Sequence, residues 1–384
     1  MTRKLYDEDA YIKEFEATVI ESYPKGDGYL TILDQTAFFP EGGGQAADTG
    51  KLNDVDVYDV QIENGIIYHY TSRQFLKGET VKGRLNFSRR FDFMQQHSGE
   101  HIVSGLAHTM FGCENVGFHL GAEITTVDFD KMLTKEQILT LQREANKKIY
   151  ANVAIRTYYP DKEALKGLEY RSKKELSGDI RIVEIEDTDI CACCAPHVKT
   201  AGEIGFISLS MSEKVRGGIR LELRCGMRAL TEFEDIKENI SAISSALCVK
   251  QNETADGVER LLTQISDLKF RLTGLKRQLM ELKLSDYTPE KAVTALIEED
   301  IDMKEMQYYA DALYKKAGGV RCVFTPRDEG FSFVICGEPQ IADDFFKGFK
   351  QTFNARGGGR NGMFQGTVFA KREDLLEYVE KQKL

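Results

Sequence analysis

Between Val258 and Leu282 the apolar residues recur with a spacing that a long, laterally paired helix uses. Val258, Ile265, Leu272 and Leu279 occupy one position of a seven-residue repeat, and Leu261, Leu268, Leu275 and Leu282 occupy the other. Alternating steps of three and four residues, sustained over four heptads, put all eight side chains on one seam. An earlier stripe, Ile236, Ile240, Ile243 and Leu247, is separated from this one by the break Gln251 to Gly257, short enough to be a turn. Residues 231–285 are therefore expected to form either an antiparallel helical hairpin or a coiled coil in which the second helix pairs with its copy in a homodimer. Globular parts must lie on either side.

Before the helices, residues 1–90 alternate apolar and polar positions in short runs such as Phe15 to Ile20, Gly28 to Leu33 and Val55 to Val60, with Gly and Asp at the breaks. That period of two predicts a small antiparallel β-barrel or sheet. From Phe91 the period lengthens, because Phe93, Met94, His97, His101 and His108 fall at helical spacing, predicting a helix of about five turns. A helix over Lys135 to Tyr150 and strands near 123–128, 180–184 and 219–223 make residues 91–230 a mixed α+β core. Residues 286–384 alternate helical and strand patterns and are expected to form a small α/β domain. The fold class is multidomain α+β.

The length of 384 residues allows two or three domains at about 150 residues each, and 42% hydrophobic residues supply real cores. A net charge of -10 argues against a phosphate-rich partner unless positive charge is gathered locally. No apolar run is long enough for a membrane span, and the first ten residues lack a signal-peptide core, so a cytoplasmic protein without a membrane partner is expected. Eight cysteines in such a chain point to metal or redox chemistry more than to disulfides.

Two motifs carry that chemistry. His97-Ser-Gly-Glu-His101 stacks two imidazoles one helical turn apart, at a rise of roughly 6 Å. Cys191-Ala-Cys193-Cys194-Ala-Pro-His197 repeats the four-residue spacing with a thiol and an imidazole. His97, His101, Cys193 and His197 together form a donor set suited to one zinc ion per chain. Cys193 is preferred because it alone stands four residues from His197, while Cys191 and Cys194 remain alternatives or neighbouring thiols. The letters His97-x-x-Glu100-His101 also fit the inverted zinc proteases, in which the Glu is the general base, but those enzymes take a downstream Glu as third ligand and have no use for the Cys/His pair.

Glycines and cations complete the pattern. Thr36-Ala-Phe-Phe-Pro-Glu-Gly42-Gly43-Gly44-Gln45 places three glycines in succession, which frees backbone amides for a ligand; a structural turn is the plain reading of the same residues. Arg356-Gly357-Gly358-Gly359-Arg360 brackets a second glycine loop with guanidinium groups, in a stretch from Phe345 to Arg372 with six basic residues and no acidic one. A further basic run comprises Lys214, Arg216, Arg220, Arg224 and Arg228. Both patches suit a nucleic-acid backbone, although most of the interleaved Phe residues are expected in the core.

Taken in order, the glycine motif from Thr36 to Gly50, the His97/His101 pair, the Cys193/His197 pair, the strand Gly218-Ile-Arg-Leu-Glu222 and the glycine loop at 356–366 resemble the editing and C-terminal portions of alanyl-tRNA synthetases. With Met1 just before the first strand, the chain is similar to stand-alone alanyl-tRNA editing proteins of the AlaX type in their long form. The resemblance implies a zinc-dependent hydrolase that cleaves the aminoacyl ester of tRNA(Ala) mischarged with serine or glycine. It implies that His97, His101, Cys193 and His197 hold zinc, that Thr36 and Gln45 lie in the wall that distinguishes serine's hydroxyl, and that Glu100 is a candidate base. Arg220, Arg224, Arg356, Gly357, Gly358, Gly359 and Arg360, with Gly42, Gly43 and Gly44, are the expected tRNA or substrate contacts. The usual Cys-Gly-Gly-Thr-His appears here as Cys193-Cys-Ala-Pro-His197, which loses the hydroxyl. The C-terminal domain is similar to one shared with DHH-type phosphoesterases, yet no Asp-His-His sequence occurs, so it reads as a tRNA grip. A tRNA-binding protein with a purely structural zinc is the alternative.

Overall fold

The computed structural model describes residues 2–172, 180–215, 217–288 and 291–382. The chain forms two compact units, residues 1–243 and 244–384.

In the first unit the strands Glu14–Lys25, Gly28–Leu33, Ile66–Thr71, Val55–Glu63, Gly50–Leu52 and Thr80–Leu85 pair in that order and close into a barrel. Alternation does this: along Thr80–Leu85 exposed and buried residues follow one another without exception, so each second side chain points into the barrel. Val19, Leu33, Leu52, Val60, Ile67 and Val81 fill it, with Phe38 inserted from the glycine-bearing segment.

The helix predicted from Phe91 starts earlier, at Phe87, and runs 25 residues to Phe111. Asn86 caps it by accepting from the Arg89 N–H, and Gly112 ends it with φ +62°. Nearly every residue from Phe93 to Ala107 is buried, because one face of this helix meets the sheet and the other meets the Cys/His segment. A wholly buried Arg90 fastens it to the barrel side: its guanidinium pairs with Asp48 and donates to Ala37 O at 2.7 Å and Ala10 O at 3.0 Å.

Against the long helix lies an antiparallel sheet in the order Ile207–Val215, Gly218–Cys225, Thr125–Phe129, Asn115–Leu120, with helix Lys135–Ala151 closing the same core. A three-stranded sheet, Ile155–Tyr158, Ile182–Ile185 and Asp189–Ala192, carries the cysteine segment.

The second unit holds the sheet Val293–Ile297, Val320–Arg327, Gly330–Cys336, Met363–Val368, Arg356–Arg360, in which only the first pair is parallel. Helices Pro339–Phe353 and Met303–Ala317 pack on it. The heptad helix, Thr254–Asp286, belongs to this unit, since Met280 and Leu284 are buried with Met306, Tyr309 and Leu313. The eight heptad residues are exposed from end to end. Arg356 to Arg360, expected as a loop of free amides, is instead an edge strand whose inner side is paired with Met363–Val368.

Candidate metal centre

The four donors read from sequence converge. His97, His101, Cys193 and His197 offer ligand atoms that all lie within 4.8 Å of one another, with the three imidazoles buried. His197 Nε2 stands 3.4 Å from Cys193 Sγ, and His97 Nε2 stands 3.6 Å from it. The long helix positions His97 and His101, whose rings are 5.5 Å apart. Gly105, one turn further, lets the neighbouring segment come close, because a Cβ there would meet Thr188 O at 2.4 Å and Asp189 Cβ at 2.7 Å.

Each imidazole is oriented through its Nδ1. His97 Nδ1 bonds Gln45 Oε1, His101 Nδ1 bonds Asp189 Oδ2 and His197 Nδ1 bonds Ser98 Oγ, all at 3.0 Å. An acceptor on Nδ1 holds a proton there and turns Nε2 to the centre, which is the orientation a metal-binding histidine needs. Asp189 is itself held by Arg171, at 2.7 and 2.8 Å. Sequence reading found Gln45 but missed Ser98, Asp189 and Arg171. Ser98 adjoins His97 in the motif, so adjacency was the one signal available.

The charges at the centre are a thiolate held by imidazole protons, in the place that a bound cation would take. Burial alone would raise the Cys193 thiol, but the charge of His97 and hydrogen bonds from His101 and His197 hold it well below its ordinary value. Burial pushes His197 down to about 3, keeping that imidazole neutral. His101 is held well above its ordinary value, since its bonds to Asp189 and to the Cys191 and Cys193 sulfurs outweigh burial. A thiolate among three aligned imidazoles fits zinc. No downstream Glu joins this cluster among the described residues; Cys193 and His197 take the places the protease pattern would give it.

The centre opens on a cavity of about 610 Å³ lined by His97, Glu100, His101, Cys193 and Cys194, with Gly42, Gly43 and Gly44 on the facing wall. Gly42 and Gln45 pair backbone to backbone, and Gly43 and Gly44 turn between them with φ +61° and +83°. Two consecutive positive φ angles are why this turn takes glycine. Glu100 Oε1 accepts from Ser104 Oγ at 2.6 Å and from Asn115.

Other expected residues fall elsewhere. Thr36 is buried outside the cavity lining; its hydroxyl bonds His69 Nε2 at 2.8 Å and accepts from Phe38 N–H. Arg220 and Arg224 do not stand as free cations. Arg220 is paired with Asp128 and Glu213, and Arg224 with Glu222 and Glu232. Arg216 lies outside the described residues. Arg356 and Arg360 are exposed.

The known proteins that this chain resembles are tRNA synthetases. Residues 6–89 match the family model of tRNA synthetases class II (A), and residues 180–222 match the second additional domain of threonyl and alanyl tRNA synthetases. More particularly, the chain is similar to alanine–tRNA ligases over most of its length. That of Halobacterium salinarum is 33% identical over 87% of this chain and 38% of its own length. Those of Ignicoccus hospitalis and Methanococcus maripaludis are 32% and 27% identical over 99% and 96% of this chain, each over 42% of its own. The chain thus spans about two fifths of the relatives it matches. The C-Ala domain of Aquifex aeolicus alanyl-tRNA synthetase covers 24% of this chain and 96% of itself, at 19% identity and a TM-score of 0.20, too slight a likeness to carry an argument.

Proposed function

We propose that the protein hydrolyses the ester joining serine, or glycine, to the 3′ end of mischarged tRNA(Ala), as a zinc-dependent editing enzyme of the cytoplasm. The observation that carries this reading is that the His97, His101, Cys193 and His197 donors meet at the wall of an open cavity roomy enough for an aminoacyl ester. Bound there, one zinc per chain supplies a Lewis acid for the ester or a water of lowered pKa. The chain's own groups do the rest. Gln45 Nε2 is buried without a partner while Oε1 holds His97; Gln45 adjoins Gly44 of the cavity lining, and we assign its N–H to a seryl hydroxyl or to the oxyanion. A site built around that hydroxyl leaves alanine with an unpaired donor, which disfavours it. Thr36 accepts from the Phe38 N–H, next to Phe39 of the cavity lining, and Glu100, on the cavity wall, is the group we assign to take a proton. Gly42, Gly43 and Gly44 pass close to the substrate. Arg356 and Arg360, with Gly357, Gly358 and Gly359 between them, offer an exposed edge to a tRNA phosphate backbone. The heptad stripe or the C-terminal unit is the surface through which a homodimer would form.

Deacylation of seryl-tRNA(Ala) and alanyl-tRNA(Ala) by the zinc-loaded protein, His97→Ala and Glu100→Gln tests this. Preferential loss of serine that the variants abolish is expected; an inert wild type overturns it. The presence of four protein donors, which can close a tetrahedral shell, favours a structural zinc in a tRNA-binding protein as the second reading. In that case tRNA binds equally well to wild type and to Glu100→Gln, and neither cleaves the ester.

A further inference from the structure

Two of the four donors stand on a helix, whose hydrogen bonds fix them. The other two do not: residues 193–198, which carry Cys193 and His197, belong to no helix or strand, and Pro196 brings no N–H. Buried carbonyls in such a segment need partners from elsewhere. One side chain supplies them. Arg181, 6% exposed, donates from Nη1 to Cys193 O at 3.1 Å and to Ala195 O at 2.8 Å, while its own carbonyl accepts from the Cys193 N–H at 3.0 Å. Its Nε faces Asp7 Oδ1 at 3.9 Å, which keeps the guanidinium from being an unopposed buried charge.

We propose that Arg181 is a positioning residue for the metal centre: by bridging the carbonyls of Cys193 and Ala195 it closes the irregular segment into the shape that sets Cys193 Sγ 3.4 Å from His197 Nε2. The inference rests on the metal reading above. An arginine suits the task because one rigid fork reaches two carbonyls and an opposing carboxylate at once, whereas lysine, a point donor on a flexible stem, does not hold the same geometry.

The test uses cobalt(II) as a visible substitute for zinc in the full chain. Affinity is read by chelator competition, and the thiolate-to-cobalt absorption band is read at saturation. Arg181→Met is expected to bind about 10- to 100-fold more weakly than wild type, the usual cost of losing a group that orients a metal ligand. Its band should shift or weaken even when fully loaded. Arg181→Lys should recover part of both losses, and it decides the matter if Arg181→Met does not fold. Parity of either variant with wild type in affinity and spectrum overturns the inference, because a residue that only stabilises the fold leaves the spectrum of the loaded site unchanged. A wild type that binds no cobalt overturns the metal reading and this inference with it.

Discussion

Ser98 shows how much of the centre rests on residues that bind nothing themselves. Its hydroxyl bonds His197 Nδ1 and accepts from the Val198 N–H at 3.3 Å, so a side chain of the helix motif holds both the ring and the adjoining backbone of the other motif. Ser98→Ala is expected to lower zinc affinity by about 10-fold or more, measured by chelator competition, with the helix intact by circular dichroism. His69 makes a different prediction. Wholly buried in the barrel between Thr36 and Thr31 O, it is pushed down to about 4 by burial. An unfolded chain binds that proton near pH 6.5, so below that value the unfolded state holds more protons than the folded one. Stability is therefore complete above about pH 6.5 and declines as pH falls toward 4, by about 3 kcal/mol from this group. Urea unfolding across that range should show the slope, and His69→Gln should flatten it.

Among the elements, the helix Phe87–Phe111 bears the greatest burden, because it supplies two donors and contacts both the barrel side and the sheet. Its start is set by Asn86, whose side chain accepts from the Arg89 N–H at 3.3 Å. Asn86→Ala is expected to destabilise the protein by about 1 kcal/mol with little change at the centre, read as a shift in denaturation midpoint at unchanged metal stoichiometry. The sequence periodicity placed this helix but began it four residues late, since Phe87 to Arg90 lie before the apolar rhythm becomes regular and only the cap marks them. The edge strand Arg356–Arg360 was less legible. Three glycines read as a loop of free amides from sequence, yet Gly357 and Gly359 lie where a Cβ would come within 2.2 and 1.9 Å of the backbone of the adjoining strand, so close strand packing is what demands them. At Gly358 a Cβ would meet nothing, which leaves that face open.

At the scale of the whole molecule the net charge of -10 is decided by location. Cations at 220–228 are neutralised within the first unit, Arg228 by Asp92 as Arg220 and Arg224 are by their own carboxylates. Arg356 and Arg360 stay exposed on the second. Removing both to alanine should weaken tRNA binding and reduce the slope of log affinity against log salt by about 2, one per lost phosphate contact, as measured by filter binding across a salt series. An unchanged slope would place the tRNA contact elsewhere.

The amino-acid sequence alone determined what depends on neighbours along the chain: the helical spacing of His97 and His101, the alternation of the barrel strands, the heptads, and the identity of donors fit for zinc. Tertiary structure alone decided what depends on segments far apart in sequence. It brought Gln45, Ser98 and Asp189 to three different imidazoles, set Arg181 across the cysteine segment, buried Thr36 behind the cavity and neutralised Arg220. Periodicity reports which face of an element is buried, whereas a hydrogen bond or ion pair between residues 52 or 92 positions apart exists only once the fold has chosen the neighbours.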